Sequence, residues 1–350
     1  MSPRRGDFDS FNDICADVSA TSTETGHDNC RLDPDIAALI AADPNFVFED
    51  DNNGYSPSAG NTELFEETAE TLTVGFSIAP AFLEGFRLAV DYYDITIEDA
   101  IISVENSEIL KQCYASSVTF GQPNPFCDDI TRDSEGQLIE VLQRQLNLNE
   151  QSTSGFDVAM DYTFEMAKYG NLQLVANYTH IRKHEARFDG VDGLVVEDFN
   201  NQLDFGVFKD VATGSLAWRP NENWRFRWRT AWKGPIIDHQ SRVDSYLEDV
   251  ADNDALCAAG DPGCITNPEV EKFIYYGSYI RHDLSASYDM TLANGATMNV
   301  FAGVRNMFDK DPFVPRTGDN IEHGIGNYDS KFGGGIGRFV YLGVALRFDD

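Results

Sequence analysis

The chain contains the stretch Trp224-Arg225-Phe226-Arg227-Trp228-Arg229-Thr230-Ala231-Trp232-Lys233, in which aromatic and cationic side chains alternate. Successive side chains of a β-strand point to opposite faces, so the aromatic residues share one face and the cations share the other. A helix would mix the two sets. In a soluble sheet the aromatic face would be the core. In a transmembrane barrel it would meet lipid and the arginines would line a wet lumen, since about ten residues tilted by ~45° cross the hydrocarbon.

Composition alone does not decide between a soluble sheet and a transmembrane barrel. The chain has 350 residues, with 26 Lys and Arg against 58 Asp and Glu and a net charge of −32. Nucleic-acid binding needs a basic footprint, so we exclude a nucleic-acid partner and expect an acidic, solvated surface. No apolar run is long enough for a transmembrane helix, but barrel strands carry a much weaker hydropathy signal. The start, Met1 to Gly6, lacks the apolar core of a signal peptide. If the protein lies beyond the inner membrane, we expect this chain to be the tail of a longer one.

The six cysteines form three close pairs in sequence: Cys15 with Cys30, Cys113 with Cys127, and Cys257 with Cys264. Each pair lies within one segment between strand candidates, which is typical of disulfides that close loops in an oxidising compartment. Closing a loop of ~15 residues contributes about 3 kcal/mol in the chain-entropy model. Metal binding is the alternative, but no C-x-x-C motif is present and few histidines are near. We predict three disulfides and no metal site or cofactor.

Nine strands are predicted from alternation of apolar and polar residues. They are 72–79, 86–97, a third region in two parts (Leu138–Asn147 and Thr153–Glu165), 172–179, a strand ending at Leu216 and Trp218, 224–233, 280–290, 298–304 and 340–348. Residues 1–66 are predicted to be a long polar loop, ordered locally at best, with one short helix capped by Asp33 and begun by Pro34. Trp228 departs from the pattern of a membrane barrel, because it lies in the middle of its strand whereas aromatic residues of such barrels favour the two membrane–water interfaces.

The connections alternate in length. They are short after strands one, three, five and seven, and long after strands two, four, six and eight. Outer-membrane barrels have short periplasmic turns and long extracellular loops, whereas soluble sandwiches have loops of mixed length at both ends. We therefore expect the long-loop side, on which all three cysteine pairs fall, to be extracellular.

Several motifs resemble those of TonB-dependent outer-membrane receptors. Gly60 to Glu67 leading into Thr71 to Gly75, Val90 to Ile101, Ser154 to Asp157, and Val304 to Pro312 are similar to stretches of that family's C-terminal barrel. The residues that match the motifs are Asn61, Glu67, Gly75, Asp91, Asn306, Phe308, Asp309 and Pro312. Tyr341, Leu346 and Phe348 resemble the family's terminal strand, which usually ends on the aromatic residue, whereas here Asp349 and Asp350 follow.

This resemblance implies an all-β fold, a transmembrane antiparallel β-barrel. The likeness covers about nine C-terminal strands of a barrel of about 22. Residues 1–66 would be an extracellular loop region and residues 67–350 the barrel portion, without the plug domain. The implied function is energy-coupled uptake of a scarce nutrient across the cell outer membrane. The implied partners are outer-membrane lipid, the nutrient ligand, the inner-membrane TonB complex acting through the missing plug, and the barrel-assembly machinery. Cysteine-stapled loops resemble those of carbohydrate-type members, so a carbohydrate ligand is favoured over a siderophore.

Candidate ligand residues lie on the predicted lumen face and in the loops. Arg225, Arg227 and Arg229 could bind an anionic or sugar ligand, but we favour cross-strand pairing with carboxylates such as Asp283 and Asp289. Asp157 and Asp161 are expected to be lumen-wall residues of the same kind. Tyr55 and Tyr328 could stack on a sugar, although loop packing explains them as well. These are the predicted ligand residues.

No other motif carries chemistry. Glu49 to Gly54 partly mimics a calcium loop, but Gly60 stands where the twelfth-position acid belongs, which favours a solvated turn. No catalytic motif is present, so we predict that the protein is not an enzyme. The alternative function is a secreted acidic β-sandwich, either a glycan-binding module or a glycoside hydrolase. That alternative requires Phe226, Trp228, Val158 and Leu342 to be buried together in one dry core.

Overall fold

The computed structural model describes residues 13–51, 54–147, 150–203, 205–266, 274–293, 295–313, 332 and 336–348. Its helices are α1 (His27–Cys30), α2 (Pro34–Ala42), α3 (Asn106–Tyr114) and α4 (Gln240–Ala259), with 3₁₀ turns at Cys127–Asp129 and Ala167–Tyr169. Its strands are β1 (Ser58–Ala59), β2 (Thr68–Ile78), β3 (Phe86–Glu98), β4 (Ile101–Ser103), β5 (Ile130–Arg132), β6 (Leu138–Val141), β7 (Gln143–Asn147), β8 (Glu150–Glu165), β9 (Asn171–Gly190), β10 (Gly193–Asp198), β11 (Asp210–Arg219), β12 (Trp224–Lys233), β13 (Ile236–Ile237), β14 (Tyr275–Tyr276), β15 (Tyr279–Thr291), β16 (Thr297–Arg305) and β17 (Phe339–Arg347). In these ranges no helix is both long and apolar enough to cross a bilayer.

The chain divides into two compact units. The first, here called the loop unit, contains the described parts of 13–70, 96–152 and 185–197. The second, here called the sheet unit, contains the described parts of 71–95, 153–184 and 198–348. Each unit has its own buried residues and its own hydrogen bonds, and each is described by itself.

The sheet unit is organised around one large sheet with the strand order β17-β16-β15-β12-β11-β9-β8-β3-β2, to which β10 adds as a tenth strand beside β9. The pairs from β9 through β17 are antiparallel. Short connections at 79–85, 166–170, 220–223 and 292–296 join neighbouring strands, as does the two-residue turn between β9 and β10, whereas the connections from β3 to β8, β9 to β11, β12 to β15 and β16 to β17 are long. The predicted alternation of short and long connections is therefore confirmed. The sheet is not closed in the described residues, because β2 and β17 are its two edges.

The register separates the two faces of this sheet by residue number. Leu216 lies opposite Leu174 and Trp228, and Trp228 lies opposite Leu284, so the even-numbered residues of β9, β11, β12, β15, β16 and β17 share one face. That apolar face is exposed: Leu342 is 76% and Trp228 is 40% accessible. The dry core that a β-sandwich requires is absent from the described residues, because these side chains are not buried together.

The loop unit is compact, in contrast to the prediction for residues 1–66. Cys15, Val18, Ile36 and Phe48 are fully buried, and they share a unit with the chain around α3. The prediction of a locally ordered loop was wrong because the partners of residues 13–66 lie in 96–152, far along the chain. The predicted helix is present as α2, with the Asp33 side chain accepting a hydrogen bond from the Asp35 amide.

A buried ion pair lies at the centre of the loop unit. The Arg132 side chain is 2% accessible and that of Asp13 is 0% accessible. Arg132 Nη2 donates to Asp13 Oδ1 at 2.8 Å and Nη1 to the Gly136 carbonyl at 2.8 Å. Its Nε donates to the Tyr114 hydroxyl at 3.0 Å. Such a network satisfies a desolvated guanidinium, whose isolated charge would be costly to bury.

The three predicted disulfides are present, pairing Cys15 with Cys30, Cys113 with Cys127, and Cys257 with Cys264. Two of them close loops in the loop unit, and the third joins Cys257 near the end of α4 to Cys264 in the sheet unit. Their Cα separations of 5.6, 4.9 and 4.7 Å fall in the range that a disulfide requires.

Three further predictions need correction. Leu138–Asn147 does not extend the third strand but forms β6 and β7, which pair with β5, β4 and β1 in small sheets of the loop unit. The segment before 204 holds the unpredicted strand β10. The segment after Lys233 holds the 20-residue helix α4.

Candidate functional site

The polar face of the sheet contains the predicted arginine row. Arg229 lies opposite Asp283 in the register, and Arg227 and Arg225 lie opposite Ser285 and Ser287. A cavity of about 320 Å³ on this face is lined by Arg229, Arg281 and Asp283 together with Ser215, Thr213 and Asn177. Its charges and hydroxyls could bind a polar ligand or a facing protein surface.

The expected ion pairs of the arginine row do not form among the described residues. Asp283 lies 3.6 Å from Arg281 Nε on its own strand, and its Oδ1 accepts a hydrogen bond from the Asn306 amide. Asp289 accepts from Asn299 at 2.6 Å. The Nε atom of Arg227 is buried without a hydrogen-bond partner in the described part of the chain. The predicted pairing was wrong because each carboxylate has a nearer donor, and the arginine row keeps its charge available.

Asp157 and Asp161 do lie on the polar side of their strand. Asp157 Oδ1 accepts from the Thr179 hydroxyl at 2.5 Å, and Asp161 Oδ2 accepts from Gln173 Nε2 at 2.8 Å. Both contacts join β8 to β9. These carboxylates therefore cross-link two strands on the polar face, and their role in a lumen wall or in ligand binding stays a prediction.

The apolar face accommodates its few polar side chains by pairing them. The Trp228 indole donates to His282 Nδ1 at 3.1 Å, which explains why this tryptophan is tolerated at mid-strand. His180 Nδ1 lies 2.7 Å from Asp210 Oδ1, which also accepts from the Tyr178 hydroxyl at 2.5 Å. Hydrogen-bonded polar groups cost much less to place in an apolar environment than unpaired ones.

Several family-motif residues hold strands or turns together. A Cβ atom on Gly75 would lie 1.9 Å from Asp91 Oδ1, so only glycine lets β2 approach β3 at this point. Asn306 has a positive φ of 49° and bonds the Lys310 amide and carbonyl with its side chain at 2.9 and 3.0 Å. Asp309 Oδ1 accepts from the Arg338 amide at 2.6 Å, which ties the end of β16 to the start of β17.

The remaining motif residues have varied surroundings. Glu67 accepts a hydrogen bond from the Ile101 amide at 2.7 Å. Phe308 is exposed and packs edge-on against His282, and Pro312 is buried. In the terminal strand, Tyr341 points to the polar face and packs near Phe301, whereas Leu346 is exposed on the apolar face. Phe348 follows the end of β17 and is exposed.

The loop unit contains a groove that sequence reasoning missed. Two adjoining cavities of about 450 and 290 Å³ share Asn61, Glu63, Phe126 and Leu146 as lining residues. We call them together the Phe126 groove. Phe65 and Phe188 add aromatic surface, and Asp128, Asp129 and Asp189 add carboxylates. No periodic signal points to it, because its members come from four separate segments, at 60–65, 125–129, 144–147 and 188–189.

The pKa values of two carboxyl groups in the loop unit are raised by burial and by acidic side chains that lie close to them. Burial raises the pKa of Asp129, the ion pair with Arg144 opposes this rise, and neighbouring Asp128 adds to it. Burial raises the pKa of Glu197 to about 7, and the charges of Glu105 and Glu108 add to the rise. Glu197 is therefore a group that titrates near neutral pH.

Of the two predicted loop tyrosines, Tyr55 lies within the described residues, and it does not line the Phe126 groove. Tyr55 donates its hydroxyl to Glu140 and bonds β6 through its backbone, so it packs within the loop unit. The hydrogen bond to Glu140 raises the pKa of Tyr55. Tyr328 lies outside the described residues, as do Asn52 and Asn53 of the calcium-like stretch. Among the described residues no group of three His, Cys, Asp or Glu side chains could hold a metal ion.

Comparison with known proteins gives one matching family model and several similar solved structures. The family model described as TonB dependent receptor-like, beta-barrel matches residues 32–307. No curated protein matches the chain. Among solved structures, the ferric enterobactin receptor PfeA of Pseudomonas aeruginosa has a TM-score of 0.45 and 13% identity over 80% of this chain and 31% of its own. The FrpB iron transporter of Neisseria meningitidis has a TM-score of 0.45 and 16% identity over 84% and 33%. The siderophore receptor PirA of Acinetobacter baumannii has a TM-score of 0.44 and 13% identity over 83% and 33%.

The chain thus spans about a third of the length of these solved structures. At such identities no residue role carries over from them. The assignment of a family rests on the match over residues 32–307.

Proposed function

Because the chain belongs to the TonB-dependent receptor-like β-barrel family, we propose that it supplies wall strands and outer loops of a transporter in the cell outer membrane. The long connections, including residues 1–66, would be extracellular, and residues 67–350 would be barrel wall. The transporter would bind a scarce nutrient outside and release it inward. Its role is that of a receptor and transporter, not of an enzyme.

One observation carries this proposal: the sheet has an exposed apolar face and a polar opposite face. On β17, Val340, Leu342, Val344 and Leu346 are all more than half exposed on the apolar side. A water-soluble protein rarely exposes a contiguous apolar surface of this kind. Lipid is the solvent that such a face requires, and a water-filled lumen suits the arginine row on the other side.

The four tryptophans provide a direct test, because Trp218, Trp224, Trp228 and Trp232 all lie on the apolar face. In vesicles of brominated lipid, we expect the tryptophan fluorescence of the full chain to be strongly quenched, with little quenching by aqueous acrylamide. Strong acrylamide quenching without bromolipid quenching, or a monomer that stays soluble without detergent, would contradict the membrane assignment.

Energy coupling requires parts beyond the described residues. We propose that a plug domain connects this barrel portion to the inner-membrane TonB complex, and that the barrel-assembly machinery inserts the barrel through the terminal strand at Tyr341 to Phe348. The unpaired arginine row supports a facing surface in the lumen, since unpaired buried guanidinium atoms favour charged or polar partners.

The ligand class is a separate question. The preference for a carbohydrate came from the stapled loops, but a disulfide fixes loop geometry and does not select ligand chemistry. Uptake assays with an oligosaccharide and with a ferric siderophore test the two classes side by side. The secreted β-sandwich is not retained, because, of the residues that it would bury together, Trp228 and Leu342 are exposed and Phe226 and Val158 are only partly buried.

A further inference from the structure

From the geometry and charge of the Phe126 groove, we infer that this groove binds an organic cation with an apolar portion. The inference rests on the proposed function in one respect only, namely that the loop unit faces the outside. The recognition itself is a property of the loop unit alone. The volumes of about 450 and 290 Å³ lie in the range of small-molecule sites.

The groove is held in shape by hydrogen bonds and a disulfide. Asn147 Nδ2 donates to the Phe65 carbonyl at 3.0 Å, and its Oδ1 accepts from the Phe65 amide at 3.0 Å. Asn61 donates to the Gln145 carbonyl at 3.1 Å and accepts from the Glu63 amide at 2.9 Å. The Cys113–Cys127 disulfide anchors the segment that carries Phe126. A prearranged site loses less entropy when a ligand binds.

The charges that line the groove are mostly negative and unpaired. The carboxylates of Glu63, Asp128 and Asp189 have no hydrogen-bond or ion-pair partner in the described part of the chain. The cation in the lining, Arg144, is engaged with Asp129 at 2.5 Å. Three carboxylates are therefore available to an incoming ligand.

The whole loop unit adds a long-range field of the same sign. Residues 13–70, 96–152 and 185–197 contain 28 Asp and Glu against five Lys and Arg, a net charge of −23. Acidic clefts concentrate cations and raise their association rates, and salt weakens the effect. The same field repels anions.

The aromatic surface of the groove distinguishes an organic cation from a metal ion. Phe65 is 56% exposed and Phe126 is half-buried, so both can contact an apolar stem or take part in cation–π attraction. Metal ions instead need clustered ligands, and none of the described clusters has that geometry. A molecule that carries an amine or guanidinium group on an apolar stem fits the groove, because its cation can meet the carboxylates and its stem can contact the phenylalanine rings.

Four tripeptides serve as probes for the detergent-solubilised full chain: Lys-Phe-Lys, the neutral Ser-Phe-Ser, the anionic Glu-Phe-Glu, and Lys-Ser-Lys, which lacks the aromatic ring. Calorimetric titration should show binding of Lys-Phe-Lys that weakens as salt increases, with no measurable binding of Ser-Phe-Ser or Glu-Phe-Glu. Lys-Ser-Lys should bind more weakly than Lys-Phe-Lys, and the Phe65→Ala variant should remove that difference. Tighter binding of the neutral or anionic peptide would overturn the inference.

A charge-matched pair of variants separates the groove from the general field. The triple variant Glu63→Gln, Asp128→Asn and Asp189→Asn should lose about tenfold or more in affinity, since each exposed charge pair contributes a fraction of a kcal/mol to about 1 kcal/mol. The control Glu66→Gln, Glu70→Gln and Glu135→Gln removes the same charge from exposed positions of the loop unit outside the groove. Equal losses in both triples would refute a specific site.

Failure of this inference and failure of the transport proposal give different results. Membrane insertion is read from the tryptophan quenching, and groove binding is read from the titration. Insertion without Lys-Phe-Lys binding overturns the groove assignment alone. Binding by a chain that stays soluble without detergent overturns the membrane assignment alone.

Discussion

The assignment of the apolar face to lipid predicts opposite outcomes at two neighbouring residues of β17. Val344 is 59% exposed on the apolar face, whereas Ala345 is on the polar face, opposite Asn299. An arginine at Val344 would enter lipid, and an arginine at Ala345 would enter the lumen. The two variants add the same residue one position apart, so each controls for the other.

The magnitude follows from the position of Val344 in the strand. Strand β17 contains nine residues, Phe339–Arg347, and Val344 is one residue from its centre. With a rise of ~3.4 Å per residue and a tilt of ~45°, the strand crosses roughly 20 Å of an apolar band about 25 Å tall. Val344 therefore lies near the bilayer midplane, where arginine costs about 2–4 kcal/mol. Ala345→Arg should cost less than about 1 kcal/mol, because its guanidinium stays in water.

The assay is guanidinium-induced unfolding of the full chain in lipid vesicles, followed by tryptophan fluorescence. We expect the free energy of unfolding to fall by about 2–4 kcal/mol for Val344→Arg, which is a factor of about 30 or more in the equilibrium constant. Equal destabilisation by the two variants, or greater destabilisation by Ala345→Arg, would refute the assignment of the faces.

Three other predictions concern the loop unit and the sheet. Arg132→Met should lower the free energy of opening of the loop unit by about 3–5 kcal/mol, because it leaves buried carboxylates uncompensated. Hydrogen exchange of the amides in α3 measures this change. The control Lys111→Met, which breaks an exposed ion pair, should change the same free energy by less than about 1 kcal/mol. Because the pKa of Glu197 is raised from 4.5 to about 7 in the folded protein, the loop unit should lose stability as pH rises through that interval. Glu197→Gln should flatten this dependence in thermal melts at pH 5 and pH 8, and parallel melting curves for the two proteins would contradict it. Gly75→Ala should reduce the yield of folded barrel, seen as loss of the heat-modifiable band on gels, whereas Gly214→Ala should fold normally because its nearest neighbour is 3.8 Å from the new Cβ.

The large sheet could be predicted because its signal is local. Aromatic residues alternate with cationic ones along β12, apart from Thr230 and Ala231. This pattern can be recognised in the sequence without knowing which strands lie beside β12. The short turns follow directly from the spacing of such strands. By contrast, β10 is only six residues long and is flanked by acids, so its sequence was interpreted as polar loop.

Helix α4 was missed for a similar reason. Its acidic run Glu248 to Asp252 is typical of a solvated loop, since few apolar residues mark a buried face. The structure shows that side-chain contacts support its two ends. Asp238 pairs with Arg242 at the start, and Asn253 bonds the amide and carbonyl of Ile265 after the end. Such contacts leave no periodic apolar pattern in the sequence.

The loop unit could not be predicted because its determinants are non-local. Asp13 and Arg132 are 119 residues apart, and the Asn147 contacts to Phe65 span 82 residues. Nothing near Arg132 indicates that this arginine, among those of the chain, is buried. The same distance in sequence hid the Phe126 groove, whereas Asp157 and Asp161 could be assigned to the polar face because they alternate with apolar residues along one strand.

The excess of negative charge in the loop unit bears on the role of its groove. A net charge of −23 opposes compaction by self-repulsion, and the two disulfides and the Arg132 network offset this. If stability alone had shaped the unit, basic residues beside Glu63, Asp128 and Asp189 would relieve the repulsion at little cost. Natural sequences depart from local consistency mainly at functional sites. Unpaired carboxylates on a rigid, aromatic-lined groove are therefore better explained by a cation that the groove binds than by the packing of the unit itself.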